Sequence, residues 1–280
     1  MRLYKYFHPD RTDVLRTGKI RFSSPKTLND PFELKPHLSD IVETDSFYSE
    51  VKDEILLKEY AKLPKQYQQK ISLKEFQRLT LQHLPELKNQ ILNFSKTTAA
   101  MAQRGIAKQF EELIGVLCLS ETPTNLLMWA HYADAHQGFV LEFDAENPFF
   151  NQKKSPEDEL RHLQKVEYKN ERPSFILTEM EGFSPFLTTK SIDWSYEAEW
   201  RMIRPLSEAS ETIGNDSNRV HLFKFPRMAI RSIIFGCRME TTKQAEIHQI
   251  LQETDELNSI QCMKAQIDER FYRLCLYDIS

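Results

Sequence analysis

The chain has 280 residues, of which 40% are hydrophobic and 28% charged, with a formal net charge of −4. That composition, with 18 Phe, excludes a disordered chain and a chain-wide field for polyanions. No run of about 18 apolar residues occurs and the start, MRLYKYFHPDRTD, lacks the apolar core of a signal peptide, so the expectation is a cytoplasmic protein with no membrane span.

In chain order, LYKYF reads as an aromatic strand, Arg11 to Thr17 as a helical turn or two closed by Gly18, and KIRFSS as a half-buried strand. PKTLNDPFE then breaks regularity. Residues 43–113 are rich in Lys, Glu, Gln and Leu, with apolar residues recurring every three or four positions. Pro64 and Pro85 divide them into about three helices, a helical insertion or subdomain. IGVLCLSE is a buried strand, and TPTNLLMWAHYADAHQ a helix capped by Thr122 or Thr124. GFVLEFD is a strong strand. SPEDELRHLQKVEYK gives a charged turn or helix and a strand at Val166–Tyr168. RVHLFKFP and AIRSIIFG follow as strands, then a helix from Thr241 to about Glu253, then strands in SIQCMKAQ and FYRLCLYD. The fold class expected is α+β, one domain over 1–280 with the helical insertion inside it. The absence of G-x-G-x-x-G and G-x-x-x-x-G-K-[ST] excludes Rossmann and P-loop nucleotide sites.

Four stretches carry candidate chemistry. In SYEAEWRMIRP, Glu197 and Glu199 lie two apart at a strand start and so share a face, where their repulsion raises one pKa if both are partly buried. The alternative is a solvated edge neutralised by Arg201 or Arg204. Trp194, Tyr196 and Trp200 build pocket walls or core. In NDPFE, Asn29 and Asp30 either bind nearby backbone amides in a turn or face a ligand. In LMWAHYADAHQGF, His131 and His136 are five apart, which is no zinc spacing. His131 is a core histidine or a general base, while Trp129 and Tyr132 share a helical face that packs the core or stacks on a ligand. In LYKYF, Lys5, with Arg21 and His8, holds an anion or is a surface lysine. The four cysteines form no CxxC pair and read as reduced thiols, and no metal site is expected.

Together, LYKYF, GKIRFSSPKTLNDPFE, VLCLSETPTNLLMWAHYADAHQGFVLEFD and WSYEAEWRMI resemble an uncharacterised bacterial family, domain of unknown function 2971, over residues 3–35 and 114–275. Members are often encoded near defence and mobile-element genes, which implies a toxin-like or anti-phage role. The order of features is also similar to the ADP-ribosyltransferases. That resemblance implies a split mixed or antiparallel sheet gripping NAD as substrate. In it, Glu199 matches the catalytic glutamate and Glu197 the upstream glutamate that brings the acceptor into reach. Ser23 or Ser24 matches the serine motif, which reads Ser-Ser-Pro here. Lys5 stands where that family has Arg or His, with Tyr4, Tyr6 or His8 as substitutes. Trp129, Tyr132 or Trp200 would hold the nicotinamide, and Lys5 or Arg21 the pyrophosphate. Asn29 and His131 complete the expected binding set. The partners implied are a nucleotide-type small molecule and a protein or nucleic-acid acceptor. Two other readings stand beside this one: a nucleic-acid-directed defence effector, as a binder or a nuclease whose metal is held by Asp30, Glu33, Glu142 and His131, and a non-catalytic sensor or interaction module.

Overall fold

The computed structural model describes residues 1–35, 37–80, 84–215 and 218–279. In chain order the elements are β1 (Arg2–Phe7), α1 (Asp13–Thr17), β2 (Lys19–Phe22), β3 (His37–Asp40), α2 (Thr44–Lys62), α3 (Lys65–Gln68), α4 (Leu73–Thr80), α5 (Leu84–Leu113) and β4 (Ile114–Ser120). There follow α6 (Leu126–Tyr132), β5 (Phe139–Asp144), β6 (Leu163–Lys165), β7 (Glu167–Lys169), β8 (Ser174–Ile176), α7 (Ser184–Thr188), β9 (Thr189–Ser191) and β10 (Glu199–Pro205). The chain closes with β11 (Glu211–Ile213), β12 (Val220–Lys224), β13 (Ile230–Phe235), α8 (Thr241–Glu253), β14 (Gln261–Ile267) and β15 (Leu274–Asp278).

These elements form a mixed α+β fold in two compact units. One holds residues 1–34, 109–172 and 184–280; the other holds 35–108 and 173–183. The second unit is the helical block, with Pro64 between α2 and α3 and Pro85 in the first turn of α5. It also takes in β8 from much later in the chain, which pairs in parallel with β3. Nothing in the local sequence marks that recruitment.

The first unit is built on an eight-stranded sheet in the order β15-β14-β13-β5-β1-β4-β10-β6. Neighbours are antiparallel except β13 and β14, whose parallel pairing requires the crossover that α8 provides. Ile247, Ile250 and Leu251 on α8 are buried at helical spacing. β4 and β5 are nearly continuous buried runs, IGVLCLS and FVLEFD, as central strands covered on both faces must be. Phe7 stacks on Phe139 at 5.2 Å, and Phe143, Phe149, Phe150 and Phe225 interlock beside them. Gly138 opens β5 where a Cβ would stand 2.0 Å from the Phe7 carbonyl oxygen, so only glycine fits.

The sheet forks in its middle. β1 pairs with β5 over six positions but with β4 only at Tyr4–Ser120. Beyond that point β4 parts from β1, and Ser23 takes up the bridge to β4 at Val116. Lys5 spans the gap, its Nζ donating to the Cys118 carbonyl at 3.1 Å.

Candidate functional site

The fork opens into a cleft of about 340 Å³, within the range of small-molecule sites. Tyr4, Lys5 and Tyr6 line it from β1, Val116, Cys118, Leu119 and Ser120 from β4, and Arg21, Ser23, Thr27, Asn29 and Glu33 from β2 and the segment after it. Met128, His131 and Tyr132 line it from α6, with Lys190, Glu197 and Glu199 closing it.

Glu197 and Glu199 do not meet as alternate residues of one strand. Glu197 ends a 3-10 segment, Ile192–Glu197, and only Glu199 is in β10. Between them Ala198 is left-handed, at φ 43°, and this kink turns both carboxylates to the cleft. The turn is pinned: the Ser120 hydroxyl donates to the Glu197 carbonyl at 2.6 Å, and Glu121 N donates to the Ala198 carbonyl at 3.0 Å. The register Tyr4–Ser120–Glu199 sets β10 two strands from β1, roughly 10 Å at the usual strand spacing.

A buried ion cluster surrounds the two glutamates. Arg201, with no exposed surface, donates Nε to Glu199 Oε1 at 3.0 Å and Nη2 to Oε2 at 2.7 Å. Its Nη2 also pairs with Glu33 and its Nη1 donates to the Leu187 carbonyl at 2.8 Å. Lys190 Nζ lies 2.6 Å from Glu197 Oε2 and 3.5 Å from carboxylate oxygens of both Glu33 and Glu199, beneath the Trp194 ring. The Tyr132 hydroxyl donates to Glu197 Oε1 at 2.6 Å and accepts from Asn29 at 3.3 Å. Tyr168 accepts from Glu199 N at 2.8 Å. The neutralising partner of Glu199 is thus Arg201, but buried rather than on a solvated edge.

Burial alone would push the Glu199 carboxyl up; Arg201 and Lys190 outweigh it and hold the pKa at about 2. For Glu33 burial prevails over Arg201, and its pKa stands above the usual carboxylate range. Burial opposes the charge on Lys190, yet Glu199, Glu33 and Glu197 together raise its pKa. Burial lowers the pKa of Lys5, and it raises that of Tyr132, where Glu197 adds to the effect. Three carboxylates therefore share two contacting cations, an arrangement suited to a cationic group in the cleft.

Of the residues singled out from the sequence, Lys5, Tyr6, Arg21, Ser23, Asn29, His131, Tyr132, Glu197 and Glu199 come together in this cleft. Ser24 and Trp129 do not. Ser24 is turned inward, its hydroxyl donating to the Glu111 carbonyl at 2.6 Å. Trp129 is wholly buried, edge-on to Tyr6, with its indole N–H held by the Pro123 carbonyl. Helix α6 is capped by Asn125, which accepts from Leu127 N and Met128 N, rather than by either threonine; Thr122 instead caps the turn at Thr124. Asp30 closes a local turn, accepting from Phe32 N at 2.8 Å. Trp200 is outside the cleft, its indole N–H donating to Glu121.

Sequence reasoning missed Lys190, offered Arg201 only as a neutralising partner on a solvated edge, and gave Glu33 only a metal-binding role. Arg201 was accessible from the pattern, because residues two apart in EWRMI share a strand face. Lys190 had no such signal; it reaches the glutamates through tertiary packing of β9.

The unit is thus a mixed α+β body with a carboxylate-rich cleft at a fork in its sheet. Residues 128–202, which carry most of α6, Lys190, both glutamates and Arg201, match the family described as protein of unknown function (DUF2971), in keeping with the family resemblance of the sequence. No curated protein and no solved structure matches the chain. Among the described residues no helix is long and apolar enough to cross a membrane.

Proposed function

We propose that the forked cleft binds an NAD-type nucleotide and breaks its N-glycosidic bond, in the manner of an ADP-ribosyltransferase or NAD glycohydrolase. The observation supporting this most directly is the excess of carboxylate over contacting cation at the place where β1 and β4 part. In such a reaction the C1′–N bond breaks with its electron pair leaving on nicotinamide, and positive charge develops at the ribose. Glu199, held ionised by Arg201, stabilises that charge without reorganising. Glu197 takes the proton of the attacking hydroxyl, from water or an acceptor, as the new C1′–O bond forms. Arg21, whose Nε is buried without a hydrogen-bond partner among the described residues, is available to the phosphates. A toxin-like or defence role in a bacterial cytoplasm belongs to the same proposal.

The metal-dependent nuclease reading lacks comparable support. Glu142 is hydrogen-bonded to Ser232 at 2.6 Å, away from the cleft lining, and the described residues contain no group of three His, Cys, Asp or Glu able to hold a metal ion.

The test is incubation of the protein with NAD labelled in the adenosine half, with and without cell lysate, following nicotinamide release and label transfer. Both are expected for the native chain in lysate and not for Glu197→Gln. Absence of both products from the native chain, or their persistence in Glu197→Gln, overturns the proposal.

A further inference from the structure

We infer that the β14–β15 hairpin is a binding site for single-stranded nucleic acid. The tip reads Asp-Glu-Arg-Phe-Tyr-Arg over 268–273. Tyr272 is fully exposed, at 101% relative accessibility, and Phe271 is half exposed. Arg270 and Arg273 both lie over the Phe271 ring, at 5.1 and 4.9 Å. Asp268 holds this display in place: one oxygen accepts from the backbone of Arg270 and Phe271 at 2.8 and 2.9 Å, the other from Arg273 Nε at 2.7 Å. The Tyr272 ring therefore stands in water on a fixed turn, while the Phe271 ring is overlain by the two guanidiniums. Both rings line a second cavity of about 420 Å³ together with Arg238, Arg270 and the acidic Asp268 and Glu269. Among the described residues neither Arg238 nor Arg270 is in an ion pair.

The exposed Tyr272 ring offers a base a stacking surface, and Arg270, near it in the turn, offers the phosphates a planar donor fork. Duplex bases are already stacked on one another and cannot use such a ring, so the pattern selects unpaired strands. A net charge of −4 provides no long-range attraction, so affinity rests on these contacts. Leu126 of α6 lines this cavity while Met128, His131 and Tyr132 of the same helix line the cleft. A strand held at the hairpin would thus pass along the helix that walls the cleft. Its service as the ADP-ribose acceptor rests on the function proposed above; its binding does not.

The experiment is fluorescence anisotropy of a dye-labelled, mixed-sequence single strand titrated with the full chain, without NAD, at several salt concentrations. Tyr272→Ala should weaken binding roughly tenfold or more. The double variant Arg238→Ala/Arg270→Ala should flatten the log–log salt slope by about 1.4, the value for two lost phosphate contacts on a single strand. Melting midpoints should match the native chain, because none of these side chains is in the core. Any of three results overturns the proposal: no binding at low salt, equal binding by Tyr272→Ala, or duplex bound as tightly as single strand. Self-association abolished by Tyr272→Ala, without oligonucleotide binding, would reassign the hairpin to protein contact.

Discussion

Arg201→Met removes the cation that holds two buried carboxylates. In the native chain Arg201 makes two hydrogen bonds to Glu199, pairs with Glu33 and donates to the Leu187 carbonyl, with no exposed surface. Methionine fills much of the same space but leaves Glu199 and Glu33 with Lys190 as their contacting cation, 3.5 Å from each. Leaving a buried charge without its partner costs about 3–5 kcal/mol. At about 2–4 °C per kcal/mol for a chain of this size, the melting midpoint should fall by roughly 6–20 °C in calorimetry at neutral pH. The pH dependence has a definite sign. Glu199 has its folded pKa depressed to about 2, below the ordinary carboxylate value of 4.5, so its stabilisation is present above 4.5 and lost as pH falls toward 2. The variant lacks most of that term. Its deficit should therefore shrink across that window. Adding Glu199→Leu should restore part of the loss, because a buried pair replaced as a pair costs less than one broken. A midpoint within about 2 °C of the native chain, or a double variant less stable than Arg201→Met alone, would refute the buried-cluster account.

Glu199→Gln should be less stable than Glu197→Gln, since its amide faces two Arg201 donors whereas Glu197 keeps a Tyr132 hydroxyl that can reverse its bond; comparison of urea midpoints decides it. Glu197→Gln is accordingly the cleaner test of chemistry, even though the sequence pointed to Glu199 first. Tyr132→Phe should cost about 1.5–3 kcal/mol of interaction with Glu197 and lower nicotinamide release roughly tenfold or more, with retention of full release refuting a role for this bond. At Ala198, glycine should be tolerated, while valine at φ 43° should cost roughly 1–3 kcal/mol and lower release, measured by thermal melts and product assay.

Much of the first unit was legible because its strands are short apolar runs with punctuating turns. Gly18 ends α1 in the left-handed conformation, Ile114 begins β4 where the helical block ends, and Thr241 to Glu253 is α8 residue for residue. Local rules failed where competing side chains offered the same service. Two threonines precede α6, but Asn125 is the residue whose carbonyl oxygen reaches both free amides, and it wins the cap. Trp129 and Tyr132 share a helical face, yet only the tyrosine has a hydroxyl that must be satisfied, and it turns to Glu197 while the indole goes to the core.

The glutamate pair marks the limit more sharply. Period-two reasoning brought Glu197 and Glu199 to one face, and they do face one cleft, but through a left-handed alanine rather than through strand alternation. Alternation does join Glu199 to Arg201. The same rule therefore binds Glu199 into the sheet and leaves Glu197 at the end of a 3-10 turn, held by side chains alone: Lys190 on one oxygen and Tyr132 on the other. A carboxylate fixed by two hydrogen bonds from one buried guanidinium is a stationary charge. One held by a lysine and a phenol can exchange partners with a ligand. That difference divides the electrostatic role from the proton-handling role in the proposed reaction, and no spacing in YEAEWR expresses it.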